Sequence, residues 1–414
     1  MLQRSGPTGG RRPPSVTAHG STVDPRRSHV PQGSGAAARF GHFSQGEQRM
    51  QRPHVQEAQV IAAPKQRGGA SATFAELLKR VKAEGLLDLD PRYYIGRLAL
   101  NTTLMLLGFA AFFALGDSWW QLAVALWMGL CGGQSAFMWH DAGHKAMFRS
   151  KKAASAIGYF HANLVNGVSF GWWVNHHNRH HSNPNHLDMD PDIGRRTAIF
   201  DIKQYPTRRG TQKFVVRYQS VLFFALLVLE SFKMLKTAIL SIAQGKTKRP
   251  VLETFLLVAR AAIYLTLVFT VLSPVLAVAF VLVQQAVLGV YFGMIFAPNH
   301  KGMAIRDGDK ETLDWLERQV LTSRNIRPSL LIDFLYGGLN YQVEHHLFPA
   351  MPQKNLARAR ELTREYCAER GVPYHEVGFW ASYREVASFL HEVSAPVRRG
   401  DVEEQIRRNA DRAA

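Results

Sequence analysis

Four long apolar blocks constrain this 414-residue chain more than any other feature. Leu98–Leu115 and Trp119–Trp139 run 18 and 21 residues without a charge. Phe255–Leu272 carries one, Arg260, near enough to an end to snorkel, and Val275–Ala297 carries none. A helix needs about 20 such residues to cross the hydrocarbon of a bilayer. The spacing therefore predicts an all-α polytopic membrane protein with spans at about 98–115, 119–139, 255–272 and 275–297. Gly116-Asp117-Ser118 and Ser273-Pro274 separate the members of each pair, so two hairpins are expected. Neither turn holds Lys or Arg, whereas Lys145, Arg149, Lys151, Lys152, Lys246, Lys248 and Arg249 flank the opposite ends. The positive-inside rule then puts both termini and the 145–250 segment in the cytoplasm. Val221–Leu229 is too short to cross and reads as an interfacial helix, and Ala153–Trp173 is broken by Gly, Asn and His.

Outside the blocks the chain is strongly basic, with a formal charge of +18. Residues 1–70 hold ten Gly, seven Pro and a charge of +7 without apolar periodicity, the composition of a disordered arm. No apolar run follows its basic residues, so it does not read as a secretory signal. The surplus is assigned to this arm and to the membrane-facing loops, with no nucleic-acid partner. Thr73-Phe74-Ala75-Glu76 reads as a capping box opening an amphipathic helix, and the domain it opens runs over 71–395. Residues 396–414 read as a charged tail. With only Cys131 and Cys367, a disulfide scaffold, a Cys-ligated iron–sulfur cluster and a CxxC zinc site are excluded.

Chemistry concentrates in the histidines. Eight of the 17 fall in or beside four clusters: His140-Asp141-Ala142-Gly143-His144, His177-Asn178-Arg179-His180-His181, Asn299-His300 and Gln342-Val343-Glu344-His345-His346. Positions i, i+3 and i+4 share a helix face, so each box presents its imidazoles on one side. The expected topology brings all four clusters to the same, cytoplasmic surface. Imidazole-rich ligation suits iron, copper, nickel or zinc, and eight ligands are too many for one ion, so a dinuclear site in a cytoplasmic helical cap is expected. A membrane zinc hydrolase would want HExxH, which the first box lacks. In a non-catalytic receptor or transporter the histidines would be incidental.

HDAGH, HNRHH and the segment Gly338–Pro349, GLNYQVEHHLFP, resemble the membrane fatty-acid desaturases over roughly residues 75–395. Gln342 in place of the third box's first His, and Tyr366–Tyr374, resemble the front-end acyl branch of that family. The resemblance implies a non-haem di-iron centre that uses O₂ and two electrons to remove two hydrogens from a fatty-acyl chain. It implies His140, His144, His177, His180, His181, His345 and His346 as iron ligands, with His300 and Gln342 as further candidates. Asp141 and Glu344 are expected to orient imidazoles, as carboxylates commonly do. No catalytic residue beyond the metal centre is implied. No His-Pro-Gly-Gly motif of a fused cytochrome-b5-type domain occurs, so electrons are expected from a separate ferredoxin or cytochrome and its NAD(P)H reductase. The substrate is expected to be a fatty-acyl chain on CoA or lipid, in a membrane taken as the bacterial inner membrane from the Arg- and Ala-rich composition. A hydroxylase or ketolase of the same superfamily is the alternative. His176 reads as polar packing, His161 and His186 as ordinary lone histidines, and Trp172 and Trp173 as an interfacial belt.

Overall fold

The computed structural model describes residues 70–194, 197–308 and 313–413; apart from Ala70, the arm expected to be disordered lies outside them. The described residues are mostly helical. The helices are α1 (Ala70–Ala83), α2 (Pro91–Leu115), α3 (Gln121–His144), α4 (Lys151–Tyr159), α5 (Phe170–Ser182), α6 (Thr211–Arg217), α7 (Gln219–Leu226), α8 (Glu230–Ala243), α9 (Pro250–Val271) and α10 (Pro274–His300). They continue as α11 (Trp315–Leu321), α12 (Leu330–Tyr336), α13 (Gln342–Leu347), α14 (Leu356–Arg370), α15 (Phe379–Val393), α16 (Ala395–Arg399) and α17 (Val402–Ala413). Two short strands, β1 (Asn325–Ile326) and β2 (Glu376–Val377), pair in parallel.

Four helices, α2, α3, α9 and α10, are long and apolar enough to cross a bilayer. All four outrun their apolar blocks at the polar end, α9 by starting at Pro250. Asp90 accepts hydrogen bonds from the N–H groups of Arg92 and Tyr93, and Pro91 fills the first helical position, so α2 starts seven residues early. α3 likewise continues to His144 and α10 to His300, which carries box residues on the same rods as the apolar segments.

The spans are unequal neighbours. α3 is mostly buried, whereas α2 and α9 turn most of their surface outward. Glycines explain the close packing of α3 on α10: a Cβ at Gly129 would lie 2.8 Å from Val287, and one at Gly133 only 2.2 Å from the Tyr291 ring. Small residues let two backbones approach where lipid offers no hydrophobic drive. Gln134 closes the same seam, donating to Tyr291 Oη (2.7 Å) while Tyr291 donates to Leu335 O (2.6 Å). At the opposite end of the rods, Asp117 accepts from the Ser273 N–H (2.8 Å), which joins the two short turns.

Ala153–Trp173 forms α4, a π-helix over Phe160–Asn166, and the start of α5. Gly167, at φ +73°, ends the π-helix where any Cβ would strike the Arg260 guanidinium. Arg260 Nε donates to Val165 O (3.2 Å). Seven residues along α9, the buried Glu253 accepts from Asn163 Nδ2 (3.2 Å) and from Ser169 Oγ. Ser169 also caps α5 at the Trp172 N–H, so one face of α9 steadies the helix that carries the second box.

The Thr73–Glu76 box does not cap: α1 begins upstream at Ala70, which leaves Thr73 inside the helix. Glu76 instead pairs with Arg80 one turn on and with Arg370 of α14. Residues 395–413 form α16 and α17, with Val397, Val402 and Ile406 packed around Ile199, Ile202 and Val216.

Candidate metal centre

The four clusters converge. One nitrogen from each of His140, His144, His177 and His345 lies within 4.8 Å of the others, and the same holds for His180, His300 and His346. α3 and α5 supply residues about one turn apart, α10 supplies His300 from its last position, and α13 supplies the adjacent His345 and His346, one to each group. His181 sits between the two groups, its ring stacked on His346 (centroids 4.2 Å, 18°) and 4.7 Å from His144 and His345.

The far side of four rings is held by the protein. His140 Nδ1 faces Asp141 Oδ1 at 2.8 Å, and Asp141 Oδ2 accepts from Tyr94 Oη at 2.8 Å. His180 Nδ1 lies 3.0 and 3.1 Å from the two oxygens of the buried Asp190. His300 Nδ1 faces Thr322 O, and His346 Nδ1 faces Gln319 Oε1, both at 2.9 Å. Gln319 Nε2 in turn donates to His181 O (3.1 Å). Gln342 turns its amide nitrogen to His300 Nε2 (2.9 Å), while its oxygen accepts from Asn299 Nδ2 (2.9 Å). Glu344 is fully buried, but its oxygens accept from Asn325 Nδ2 (2.7 Å) and Tyr374 Oη (2.8 Å) rather than holding an imidazole. Burial pushes that carboxyl up to about 7, against both hydrogen bonds.

Proton accounting tests whether these residues fit metal. A neutral imidazole has one N–H and one lone pair. The carboxylate of Asp190 and the carbonyl of Thr322 only accept, so His180 and His300 each spend their N–H on Nδ1. Their Nε2 atoms face one another at 3.2 Å, and the Gln342 amide also points at that of His300. His144 and His177 bring Nε2 atoms to 2.9 Å, and His177 and His181 to 3.0 Å. Buried Nε2 atoms of His140, His345 and His346, and Nδ1 of His181, have no partner. Buried imidazole nitrogens left without a partner and gathered in two groups are suited to binding cations. The arrangement fits two ions bound largely by imidazole.

Charge agrees with this. Burial, reinforced by neighbouring imidazoles, holds His177, His181, His345 and His346 well below the usual histidine range, so they are neutral and able to ligate at pH 7. His180 departs from them. Burial opposes its charge, but the Asp190 carboxylate outweighs that and raises it.

The other singled-out residues lie apart from the two groups. His176 pairs with Asp192 (3.0 Å), His161 with Ser135 Oγ (2.8 Å), and His186 with Gly308 O (3.1 Å). Trp173 is no belt residue: it is 5% exposed and stacks on His177 with centroids 4.4 Å apart. An apolar cleft between α3 and α10, lined by Gly133, Phe137, Tyr291, Phe292 and Phe296, ends on His140. Asp190, Gln319 and Thr322 escaped the sequence reading. Only Asp190 left a signal there, the acidic run Asp188-Met189-Asp190-Pro191-Asp192 just after the second box.

Known proteins give the geometry its context. The Delta(5) fatty acid desaturase fat-4 of Caenorhabditis elegans is 29% identical over 345 residues, 78% of this chain and 76% of the worm protein. The acyl-lipid (9-3)-desaturase of Physcomitrium patens is 29% identical over 341 residues, 78% of this chain and 62% of the moss protein. The Delta 8-(E)-sphingolipid desaturase of Emericella nidulans is 27% identical over 354 residues, again 78% of this chain and 62% of the relative. The chain thus spans less than two thirds of the length of the second and third of these. The sequence model of the fatty acid desaturase family matches residues 117–378, a stretch that holds all four histidine clusters. This membrane protein belongs to the fatty acid desaturase family of oxidoreductases.

Proposed function

We propose that the chain is an O₂-dependent fatty-acyl desaturase, acting on acyl-CoA or acyl-lipid, that introduces a cis double bond at a non-haem di-iron centre within residues 71–395. The convergence of seven imidazoles into two groups, with buried nitrogens of His140, His345 and His346 left without a partner, carries the metal reading. The desaturase names of the relatives support the reaction. In this reading His140, His144, His177 and His345 hold one iron and His180, His300 and His346 the other. His181 is a ligand between them, and Gln342 hydrogen-bonds beside His300 without ligating.

Bound iron supplies the O₂ reduction that oxidises an unactivated C–H bond, which acid–base groups alone cannot attack. The rest is the work of this chain's residues. Asp141, Asp190, Gln319 and Thr322 O fix the tautomers of His140, His180, His346 and His300 and aim their free nitrogens inward. Trp173, Trp139 and Phe137 keep water from that side of the site. The α3–α10 cleft leads an apolar chain to His140, with the Tyr291 ring set across Gly133. The shared location of the clusters requires an even number of crossings between them, which two hairpins provide. The basic loops then place both termini and the site in the cytoplasm, at the bacterial inner membrane in this reading. A separate ferredoxin or cytochrome with its NAD(P)H reductase supplies electrons.

The test is gas chromatography–mass spectrometry of fatty acids from a host co-expressing the chain and a ferredoxin-type donor, with metal analysis of the purified protein. A new unsaturated acid and two irons per chain are expected. A hydroxy acid would move the reading to hydroxylase, and a single zinc would end it.

A further inference from the structure

The segment between α6 and α9 raises a question that does not depend on the reaction. α7, the 3₁₀ turn Leu227–Leu229 and α8 form one nearly continuous path over 219–243. Its backbone packs directly on the fourth span. A Cβ at Gly289 would lie 2.6 Å from Leu227 O, and one at Gly293 would lie 2.3 Å from the Leu227 side chain. Ser231 Oγ donates to Gln285 O at 2.7 Å. These contacts fix the depth of the segment. α10 has 27 residues, and about 20 must lie in hydrocarbon. Every stretch of that length within α10 includes Gln285–Gly293. Those residues lie roughly 10–22 Å back along the helix axis from His300.

The outward side of the segment matches that depth. Val221 is 72% exposed and Ile239 56%, and Leu226, Val228, Leu229 and Leu240 are exposed with them. Their surface continues that of α9, where Phe255, Val258 and Ile263 also face outward. Glu230 and Lys233 pair at 2.6 Å, which lowers the cost of carrying charge there, and the exposed Lys236 has a long stem that can lead its ammonium toward phosphates.

We propose that residues 219–243 are a fifth membrane element, which enters the bilayer from the side of the histidine site, reaches about its middle at Ser231 and does not cross it. Lipid acyl chains cover its exposed apolar face, and Lys236 reaches the phosphate layer. It wedges beside α10 where a third span would otherwise pack, and so forms part of the wall past which lipids move at that level. Sequence length alone had placed Val221–Leu229 at the interface; the packing adds α8 and the depth.

Spin labels on the full chain, reconstituted in phosphatidylcholine vesicles with a minor fraction of phosphatidylglycerol, test this. Both native cysteines are buried, which favours single-site labelling. Val221→Cys, Leu229→Cys and Ile239→Cys are expected to collide with O₂ several-fold more than with a water-soluble nickel chelate. Leu106→Cys, on the outward face of α2, serves as the lipid reference and Arg209→Cys as the aqueous one. Lys236→Cys is expected to fall between them. Nickel-dominated collisions at the three sites would place the segment in water and overturn the proposal. Protection from both reagents would show a protein partner there and overturn it equally. Three independent sites keep the test decisive if one variant fails to fold.

Discussion

The two halves of the histidine site are built differently. In the group of His180, His300 and His346 every ring is buried, and every Nδ1 is held by a different element: Asp190, Thr322 O or Gln319. In the group of His140, His144, His177 and His345, His144 and His177 are half-exposed, and the carboxylate in hydrogen-bond contact is Asp141. That second group also adjoins the apolar cleft. One half has a polar partner behind every ring, and the other abuts a narrow apolar seam. Rigidity behind the ligands suits a site that must keep its metal.

The largest expected effect is the loss of product in either half. His180→Ala and His345→Ala should each bring desaturated product below detection by mass spectrometry while the protein persists in the membrane. Turnover surviving in one variant alone would break the pairing of the two groups into one centre. Next in size is the acid sensitivity of the metal-free protein. His177, His181, His345 and His346 are held below their unfolded range, so only the unfolded chain takes up those protons as pH falls below about 6.5. Stability is therefore complete above that pH and lost below it, by about 1.4 kcal/mol per pH unit for each net proton. Glu344, raised to about 7, acts oppositely, since its unfolded form releases a proton first, but one carboxyl faces four imidazoles. Thermal melts from pH 7.5 to 5 would show the trend, and a flat profile would contradict it.

Asp190→Asn should weaken metal retention by about 10–100-fold in chelator competition, the usual cost of losing a carboxylate behind a ligating histidine. Asp190 also accepts from the Asn185 and Asp192 N–H groups, so the loop moves with it. An equal loss in Asp141→Asn would erase the contrast between the halves. The smallest effect is expected from Tyr94→Phe, which removes the hydrogen bond to Asp141 and a longer one from the Gln353 N–H; the loss behind Asp141 is worth about 1 kcal/mol, or roughly fivefold in affinity of the His140 half. A change confined to the His180 half would show that the two are not separable.

Legibility in the sequence followed periodicity. Apolar runs announced the four long helices, because length and lack of charge are local properties. The box histidines were readable for a related reason: i, i+3 and i+4 spacing places them on one face before any tertiary contact forms. What holds the rings from behind was not readable. Gln319 and Thr322 come from α11 and the turn after it, brought to the site only by the fold, and a backbone carbonyl has no sequence mark at all. Glu344 shows the converse error. Its place between Val343 and His345 suggested a partner for an imidazole, yet adjacent helical residues diverge by about 100°, and it turned to Asn325 and Tyr374. The start of α1 was misplaced because Ala70-Ser71-Ala72 continues the helix without any apolar signal.

The convergence of α3, α5, α10 and α13 has a consequence beyond reactivity. Ligands drawn from helices that begin and end more than 200 positions apart along the chain make a bound ion a cross-link. Closing loops of that size removes conformational freedom from the unfolded chain, as a disulfide does, and the binding energy is returned as folding energy. Metal supply would then govern how long a molecule of this protein survives in its membrane, as well as whether it works.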